Sequence, residues 1–352
     1  MARTGSLSKK PDRESSRRTR NKRAIRFRLL SPLFLLTPLL GLVACGGSTR
    51  PETQELKVKV PHGKLYVRVA GNRESGNVMI ALQGGPGQSH HYMLDLERLA
   101  GSEFSVVTYD QRGVGGSTAP PADPANYDLA NYVEDLEAVR RAVGADQVHL
   151  LGHSWGGIVA MHYAAAYPER VHSLILVGSG SPTWDGIMAA GARIKQRVRE
   201  LQKEGVLPDP LPPGADFAAF FSDPSFPVEH PDENATRTEF SSTVNQLTLA
   251  ANEGFDLTAE AGRLNHRVLV LFGEDDPAGM PLVEETLAAL RSADVEFVLL
   301  ERCGHFWHEC PDQFYPRVRA FLELQRVEKE GNYDNTAADR AGRRSEGGKT
   351  KS

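Results

Sequence analysis

The chain has 352 residues, of which 40% are hydrophobic and 24% charged, with 33 Gly, 22 Pro and 3 Cys. This composition excludes a collagen-like chain, a disulfide-dense miniprotein and a protein with many membrane spans. The net charge of -4 is unevenly distributed, because residues 1–28 hold 11 Lys and Arg against 2 acidic residues, and the rest holds 30 against 43. An acidic body argues against nucleic acid as a partner, since phosphate binding needs clustered Lys and Arg.

The first predicted element is an export leader. The basic run is followed by a largely apolar segment of 15 residues at 29–43, which is too short to span a bilayer. A basic start followed by a short apolar segment is typical of a secretory signal. The sequence LVAC that ends at Cys45 resembles the lipobox of bacterial lipoproteins, in which the cysteine is lipidated; an ordinary signal with an incidental cysteine is the alternative. Residues 1–45 are thus predicted to be a lipoprotein-type leader that exports the protein and anchors it to the cell envelope membrane.

Strands and helices are predicted to alternate after a polar tether at 46–54. Alternating apolar and polar residues predict a β-hairpin over 55–70. A buried strand is predicted at 77–82, further strands at 104–110, 147–151, 171–179, 267–272 and 295–300, and helices at 127–143, 155–166, 281–291 and 312–324. Such repeated strand–helix units indicate an α/β protein with a mostly parallel sheet and helices on both faces.

One long segment interrupts this alternation. Residues 182–264 contain helical stretches, proline clusters and a mixed polar segment, and they are predicted to form an inserted cap. The core is therefore predicted in two parts, 55–181 and 265–325. The polar tail at 326–352 is predicted to be disordered, because it has too few apolar residues for a core.

The most specific catalytic motif is GHSWG around Ser154, directly after a predicted strand and directly before a predicted helix. G-x-S-x-G in this setting is typical of a nucleophile elbow, a sharp turn that exposes the serine hydroxyl. The helix behind the turn directs backbone N–H groups toward the site. Ser154 is therefore the candidate nucleophile.

A serine nucleophile needs a histidine base and a carboxylate that orients the histidine. The strand at 267–272 leads to a loop with three acidic residues, 274–276, and the next strand leads to His305. The order serine, acid, histidine along the chain is the one that a nucleophile elbow requires. His305 is therefore the candidate base.

An acyl-enzyme reaction also needs two donors for the negative charge that develops on the substrate oxygen. The backbone N–H of Trp155, directly after the nucleophile, is one candidate. The glycine-rich loop after the strand at 77–82 provides the other, the N–H of Gly85, because glycine lets the backbone approach a substrate. No His or Cys cluster has the spacing of metal ligands, so neither a metal nor another cofactor is expected.

Two cysteines, Cys303 and Cys310, flank the candidate base. A disulfide between them is permitted outside the cytoplasm. Two buried thiols are the alternative, because spacing alone does not fix pairing.

Five segments together resemble the α/β-hydrolase superfamily and, within it, the proline iminopeptidase (prolyl aminopeptidase) branch. The segments are QGGPGQSHHY (83–92), YDQRGVGGS (109–117), GHSWGG (152–157), GEDD (273–276) and CGHFWHECPDQF (303–314). The resemblance covers about residues 55–324 and implies an α/β-hydrolase fold with an inserted helical cap. It implies a triad of Ser154, Asp276 and His305, since the usual G-x-x-D spacing favours Asp276 over Asp275.

That branch removes an N-terminal residue, often proline, from peptides, and acidic side chains in or near its cap bind the free amino group. The segment NEGF at 252–255 is similar to the family's N-E-F, so Glu253 is the candidate amine-binding carboxylate. Three features depart from the family: Gln83 replaces the usual histidine of H-G-G-P-G, Pro277 stands where some members have a second Glu, and the cap is shorter than in larger members.

Motifs and resemblance together predict a serine hydrolase that acts through an acyl-enzyme. The expected substrate is a short peptide with an N-terminal proline or small apolar residue. An esterase or lactonase with the same residues is the alternative among enzymes, and an inactive hydrolase-fold lipoprotein that only binds is the alternative from another class. No particular oligomeric state is predicted.

Overall fold

A computed structural model describes residues 51–212, 214–231 and 239–323. The predicted leader with Cys45, most of the tether and the polar tail lie outside these residues. The strands are β1 (Thr53–Val60), β2 (Gly63–Ala70), β3 (Val78–Leu82), β4 (Ser105–Tyr109), β5 (Val148–His153), β6 (Val171–Val177), β7 (Arg267–Gly273) and β8 (Asp294–Leu300). The helices are α1 (Leu129–Ala142), α2 (Trp155–Ala166), α3 (Trp184–Lys203), α4 (Phe226–Glu229), α5 (Ser242–Ala251), α6 (Thr258–Ala261), α7 (Met280–Ala289) and α8 (311–323).

The strands form one sheet in the order β1-β2-β4-β3-β5-β6-β7-β8. The hairpin of β1 and β2 joins β4 in antiparallel fashion at one edge, and every pairing from β4 to β8 is parallel. The predicted α/β fold with a mostly parallel sheet is therefore confirmed. The predicted strands and helices begin and end within about two residues of the observed ones, which is the margin within which the ends of such elements are defined.

Successive residues of the central strands face two separate apolar cores, because side chains alternate along a strand. In β3, Val78, Ile80 and Leu82 pack into a core shared with α1, α2 and α7. Met79 and Ala81 pack into a second core shared with α8 and a 3-10 segment, His90–Leu99. This segment was not predicted from the sequence. Because helices and the 3-10 segment cover both faces of the sheet, functional side chains are expected at the carboxyl ends of the strands, where the loops begin.

The segment between β6 and β7 is helical and carries α3 to α6. We call residues 182–264 the cap. The described residues include no helix that is long and apolar enough to cross a bilayer.

Candidate active site

Ser154 occupies a strained turn between β5 and α2. Its backbone has φ 53° and ψ -121°, a combination that is uncommon for a residue other than glycine. The N–H of Ser154 donates to the carbonyl of Val177 at 3.1 Å, and its own carbonyl accepts from the N–H groups of Gly157 and Gly180, both at 2.9 Å. These bonds hold the turn, so that Ser154 is partly exposed between two buried neighbours.

The glycines of the motif are required by close packing of α2 on the sheet. A Cβ atom at Gly156 would lie 2.1 Å from the carbonyl oxygen of Leu82, and one at Gly152 would lie 2.6 Å from the carbonyl oxygen of Gly156. Any larger residue at these two positions would push α2 away from β3 and β5. The spacing of the motif thus follows from the turn geometry.

His305 and Asp276 form a buried hydrogen-bonded pair. The Nδ1 atom of His305 lies 2.7 Å from Oδ2 of Asp276, and the two residues are 8% and 5% exposed. An ionised carboxylate only accepts, so we assign the proton to Nδ1, which leaves Nε2 as an acceptor. This is the form of imidazole that a general base requires.

The pair lies beside the serine turn. A Cβ atom at Gly178 would lie 3.1 Å from Nδ1 of His305 and 3.3 Å from Oδ2 of Asp276, and Gly178 directly follows Val177, the partner of Ser154. The structure therefore brings the three predicted triad residues to one place at the carboxyl edge of the sheet.

The alternative acid, Asp275, faces the cap instead. Its Oδ2 accepts a hydrogen bond from the hydroxyl of Ser222 at 2.6 Å. The two neighbouring carboxylates thus have different partners, and it is Asp276 that contacts the imidazole.

The glycine-rich loop runs alongside the elbow, and we call residues 83–87 the oxyanion loop. A Cβ atom at Gly84 would lie 2.9 Å from Cβ of Ser154. The N–H of Gly84 donates to the hydroxyl of Tyr92 at 2.6 Å, whereas the N–H of the exposed Gly85 has no acceptor among the described residues. Trp155 is the first residue of α2, so its N–H has no partner within the helix.

The structure does not bring Glu253 to these residues. It is exposed and follows Asn252, whose amide binds Leu129 and Tyr127 at the end of α5 that lies by α1. Within the described ranges, no hydrogen bond or ion pair joins Glu253 to the triad candidates.

Another acid of the cap, Glu239, is held by its backbone to Ser89, just after the oxyanion loop. Its carbonyl accepts from the N–H of Ser89 at 2.8 Å, and its N–H donates to the hydroxyl of Ser89 at 3.2 Å. Glu239 was not predicted from the sequence, although the dipeptide EF at 239–240 matches the last two residues of the N-E-F pattern that was assigned to 252–255.

The chain matches one family of known proteins over most of its described residues. The family model for the alpha/beta hydrolase fold matches residues 77–309. The chain belongs to the α/β-hydrolase family. It is 28% identical over 286 residues to a proline iminopeptidase of Lactobacillus crispatus (strain ST1), which covers 74% of this chain and 94% of that protein.

Solved structures agree with this assignment. A proline iminopeptidase-related protein from Thermus thermophilus is 26% identical, with a TM-score of 0.62 over 77% of this chain and 96% of that one. The esterase from Exiguobacterium antarcticum is 20% identical, with a TM-score of 0.59 over 77% and 100%, which shows a shared fold alone. The predicted resemblance to the proline iminopeptidase-like branch of the α/β-hydrolases is thus confirmed.

The loop of this hydrolase that carries His305 is closed by a disulfide. The sulfur atoms of Cys303 and Cys310 are 2.03 Å apart, so the structure has the bonded alternative of the two that the sequence left open. We call residues 303–310 the histidine loop.

Glu309 joins the histidine loop to the cap. Its carboxylate accepts hydrogen bonds from the N–H groups of Ser222, Asp223 and Gly304 at 2.9 to 3.0 Å. Burial raises the pKa of Glu309, and the three N–H donors partly oppose that rise. The N–H of His305 also donates to the carbonyl of Phe220 in the cap at 2.7 Å, so the cap supports the position of the imidazole.

A second buried His–Asp pair fixes the segment after the oxyanion loop. Both the N–H and Nδ1 of His90 lie 2.8 Å from Oδ1 of Asp110, and Oδ2 of Asp110 accepts from the N–H of Gly116 at 2.8 Å. Burial alone would raise the pKa of Asp110, but the bonds from His90 and Gly116 outweigh it and lower the pKa. The motif DQRG was visible in the sequence, but the bonds of Asp110 to His90 and Gly116 were not predicted.

Proposed function

We propose that the protein is a serine hydrolase that acts through an acyl-enzyme. The observation that carries the proposal is the partly exposed Ser154 on its strained turn beside the buried pair of His305 and Asp276. Ser154 Oγ attacks the substrate carbonyl, His305 Nε2 takes the proton and returns it to the leaving group, and Asp276 holds the imidazole in place. A water molecule, activated by the same histidine, then releases the acyl group.

The oxyanion of both tetrahedral intermediates is assigned to the N–H groups of Gly85 and Trp155. Gly85 is supported because its neighbour Gly84 already donates to Tyr92. Trp155 is supported because it starts α2, where unpaired N–H groups and the helix dipole favour negative charge.

Labelling with a fluorophosphonate tests the serine mechanism. We expect the folded protein to be labelled at Ser154, and Ser154→Ala to be unlabelled and to lose roughly 1,000-fold or more in kcat, as in other serine triads. Asp275→Asn is the matched control for Asp276→Asn, and only the latter should abolish turnover. A folded parent that resists labelling would instead support an inactive binding lipoprotein.

Within this chemistry, we propose an aminopeptidase that releases an N-terminal proline or small apolar residue. The support is the proline iminopeptidase relatives and a cap that docks against both catalytic loops. An aminopeptidase needs an anion beside the scissile bond to bind the substrate ammonium. The backbone of Glu239 is hydrogen-bonded to Ser89, just after the oxyanion loop, and no such bond holds Glu253 there among the described residues. We therefore choose Glu239 over Glu253 as the candidate for this role.

Paired substrates test this assignment. We expect Pro-p-nitroanilide to be cleaved and its N-acetyl derivative to resist, because acetylation removes the positive charge. Glu239→Gln should raise KM for the free-amine substrate about 10-fold or more while leaving p-nitrophenyl acetate hydrolysis unchanged. Glu253→Gln is the matched control. A selective loss of activity on the free-amine substrate in this variant would assign the amine-binding role to Glu253 instead.

The opposite substrate preference would favour the alternative function. Brisk cleavage of p-nitrophenyl acetate or of a lactone, with no release from Pro-p-nitroanilide, would identify an esterase or lactonase and contradict the peptidase proposal.

We also propose that the hydrolase is exported and anchored to the envelope membrane through lipid on Cys45. The support is the basic, apolar and LVAC segments of the leader. The disulfide in the histidine loop agrees with this location, since such bonds persist outside the cytoplasm.

A further inference from the structure

A continuous chain of buried hydrogen bonds joins the oxyanion loop to the histidine loop. The N–H of Gly84 donates to Tyr92 Oη at 2.6 Å. Tyr92 Oη lies 2.8 Å from Nδ1 of His153, and Nε2 of His153 lies 3.0 Å from the carbonyl oxygen of His305. His153 directly precedes Ser154, so the chain touches all three catalytic segments.

The position of each proton in this series of hydrogen bonds follows from the groups at its two ends. The carbonyl of His305 can only accept, so Nε2 of His153 carries a proton. The amide of Gly84 can only donate, so the oxygen of Tyr92 accepts there and gives its own proton to Nδ1 of His153. One neutral tautomer of His153 satisfies both ends, with no donor or acceptor of the three links unmatched.

The surroundings favour this neutral form. Tyr92 and His153 are both fully buried, and they are held edge-to-face with a ring separation of 5.4 Å. Burial lowers the pKa of His153, and the nearby His305 and His308 lower it further. The ring of His153 lies 4.7 Å from that of His305, close enough to restrict movement of the catalytic imidazole.

We propose that Tyr92 and His153 are a positioning pair that sets the oxyanion loop and the histidine loop at a fixed separation across Ser154. The proposal rests on the serine mechanism proposed above. Tyr92 occupies the N–H of Gly84, so the peptide that follows is the one that presents a free N–H, at Gly85. His153 holds the carbonyl of His305, so the residue that carries the base is tied to the strand that carries the nucleophile.

Tyr92→Phe is the primary test, because it removes one hydroxyl and keeps the ring. We expect kcat for p-nitrophenyl acetate, normalised to fluorophosphonate-labelled sites, to fall about 10-fold to 100-fold. This fall should not exceed the fall in kcat that follows removal of an entire oxyanion donor. We expect KM to stay within about twofold, because the lost alignment acts in the transition state rather than on ground-state binding.

Tyr163→Phe is the matched control. Tyr163 is also fully buried, and its hydroxyl donates to Glu137 at 2.8 Å, near the end of α2 that is opposite to the elbow. It should lower the midpoint of thermal unfolding and leave kcat per labelled site unchanged. A merely structural role for Tyr92 predicts the same pattern for both variants.

Two substitutions of His153 separate the two bonds it makes. Asn places an oxygen near the position of Nδ1 and keeps the acceptor for Tyr92, whereas Gln places an N–H near Nε2 and keeps the donor to His305. If the pair acts as proposed, adding Tyr92→Phe costs less in the His153→Gln background than in His153→Asn, since coupled residues are non-additive. If Tyr92→Phe alone is too unstable to assay, the single variants His153→Asn and His153→Gln serve instead. Each should lower kcat per labelled site, and an unchanged kcat in both would overturn the positioning pair.

Outcomes for the two proposals are distinguishable. Equal kcat per labelled site for Tyr92→Phe and the parent, or equal cost of Tyr92→Phe in both His153 backgrounds, would overturn the positioning pair. Turnover by Ser154→Ala equal to that of the parent would instead overturn the serine mechanism itself, whatever the effect of Tyr92→Phe.

Discussion

Glu137 is a buried carboxylate on α1 that accepts hydrogen bonds from three side chains. Arg140 donates to both of its oxygens at 2.8 Å, Arg141 donates at 2.6 Å and the hydroxyl of Tyr163 at 2.8 Å. These bonds, with that of Arg140 the strongest, lower the pKa of Glu137 to about 2. The cluster joins α1 to α2 away from the elbow, so its charge state bears on the stability of the fold.

The lowered pKa predicts an acid-sensitive contribution to stability. A carboxylate with a depressed folded pKa stabilises above its unfolded pKa of about 4.3, and this stabilisation is lost as the pH falls toward 2. The free-energy advantage of the parent over Glu137→Gln, from urea unfolding, should therefore shrink by roughly 1 to 2 kcal/mol between pH 7 and pH 3. A constant difference across this range would contradict the prediction.

Residue identities in the site were largely predictable where a motif coincides with a strand end. Ser154 and His305 each follow a segment rich in apolar residues, which predicts a strand without any long-range information. Tyr92, His153 and Glu239 were not predictable in their roles, because those roles depend on contacts between segments 61 and 150 residues apart. No local periodicity encodes such a contact.

At the scale of elements, the histidine loop combines a disulfide, the candidate base and the carboxylate of Glu309 within eight residues. The bond between Cys303 and Cys310 restricts the unfolded loop, and the chain-entropy relation assigns about 2 to 3 kcal/mol to a closure of this length. The loop is therefore expected to depend on oxidation for both stability and order.

Replacing both cysteines tests this dependence. Cys303→Ser with Cys310→Ser should lower the free energy of unfolding by about 2 kcal/mol and reduce kcat, because His305 is then less firmly held. A reductant should reproduce the effect in the parent and change nothing in the double variant. Unchanged unfolding in both would show that the disulfide contributes no stability.

The boundaries of strands and helices were predicted closely, but one element was missed altogether. The 3-10 segment His90–Leu99 was overlooked, although Tyr92, Met93, Leu96 and Leu99 have the spacing of a helical face. A preceding run of glycine and proline indicated a loop instead. The apolar pattern was the better signal there, because burial against β4 and α8 determines the segment.

At the scale of the whole molecule, the proposed anchor places the catalytic body near a membrane. Seven residues separate Cys45 from β1, so a lipid on Cys45 allows roughly 25 Å of extended tether. Substrates would then be met at the envelope surface rather than in bulk solution.

Substitution of the lipidated residue tests the anchor. In a bacterium that processes lipoproteins, the parent should fractionate with membranes and incorporate labelled palmitate. Cys45→Ser should do neither, while the double variant of Cys303 and Cys310 should remain with the membrane. Equal fractionation of Cys45→Ser and the parent would contradict the anchor and leave the hydrolase proposal untouched.

The cap is hydrogen-bonded to both catalytic loops. Ser241 and Asn245 donate to carbonyls of the 86–87 peptides, and Phe220 accepts from the N–H of His305. The cap therefore cannot be replaced without changing contacts to the catalytic loops of the core. A cap grafted from a relative to change selectivity must reproduce these backbone contacts, or the graft will alter turnover together with specificity. We therefore expect related hydrolases to change their substrate range by single substitutions in the cap. These hydrogen bonds to the catalytic loops should be kept, and exchange of whole caps should be rare.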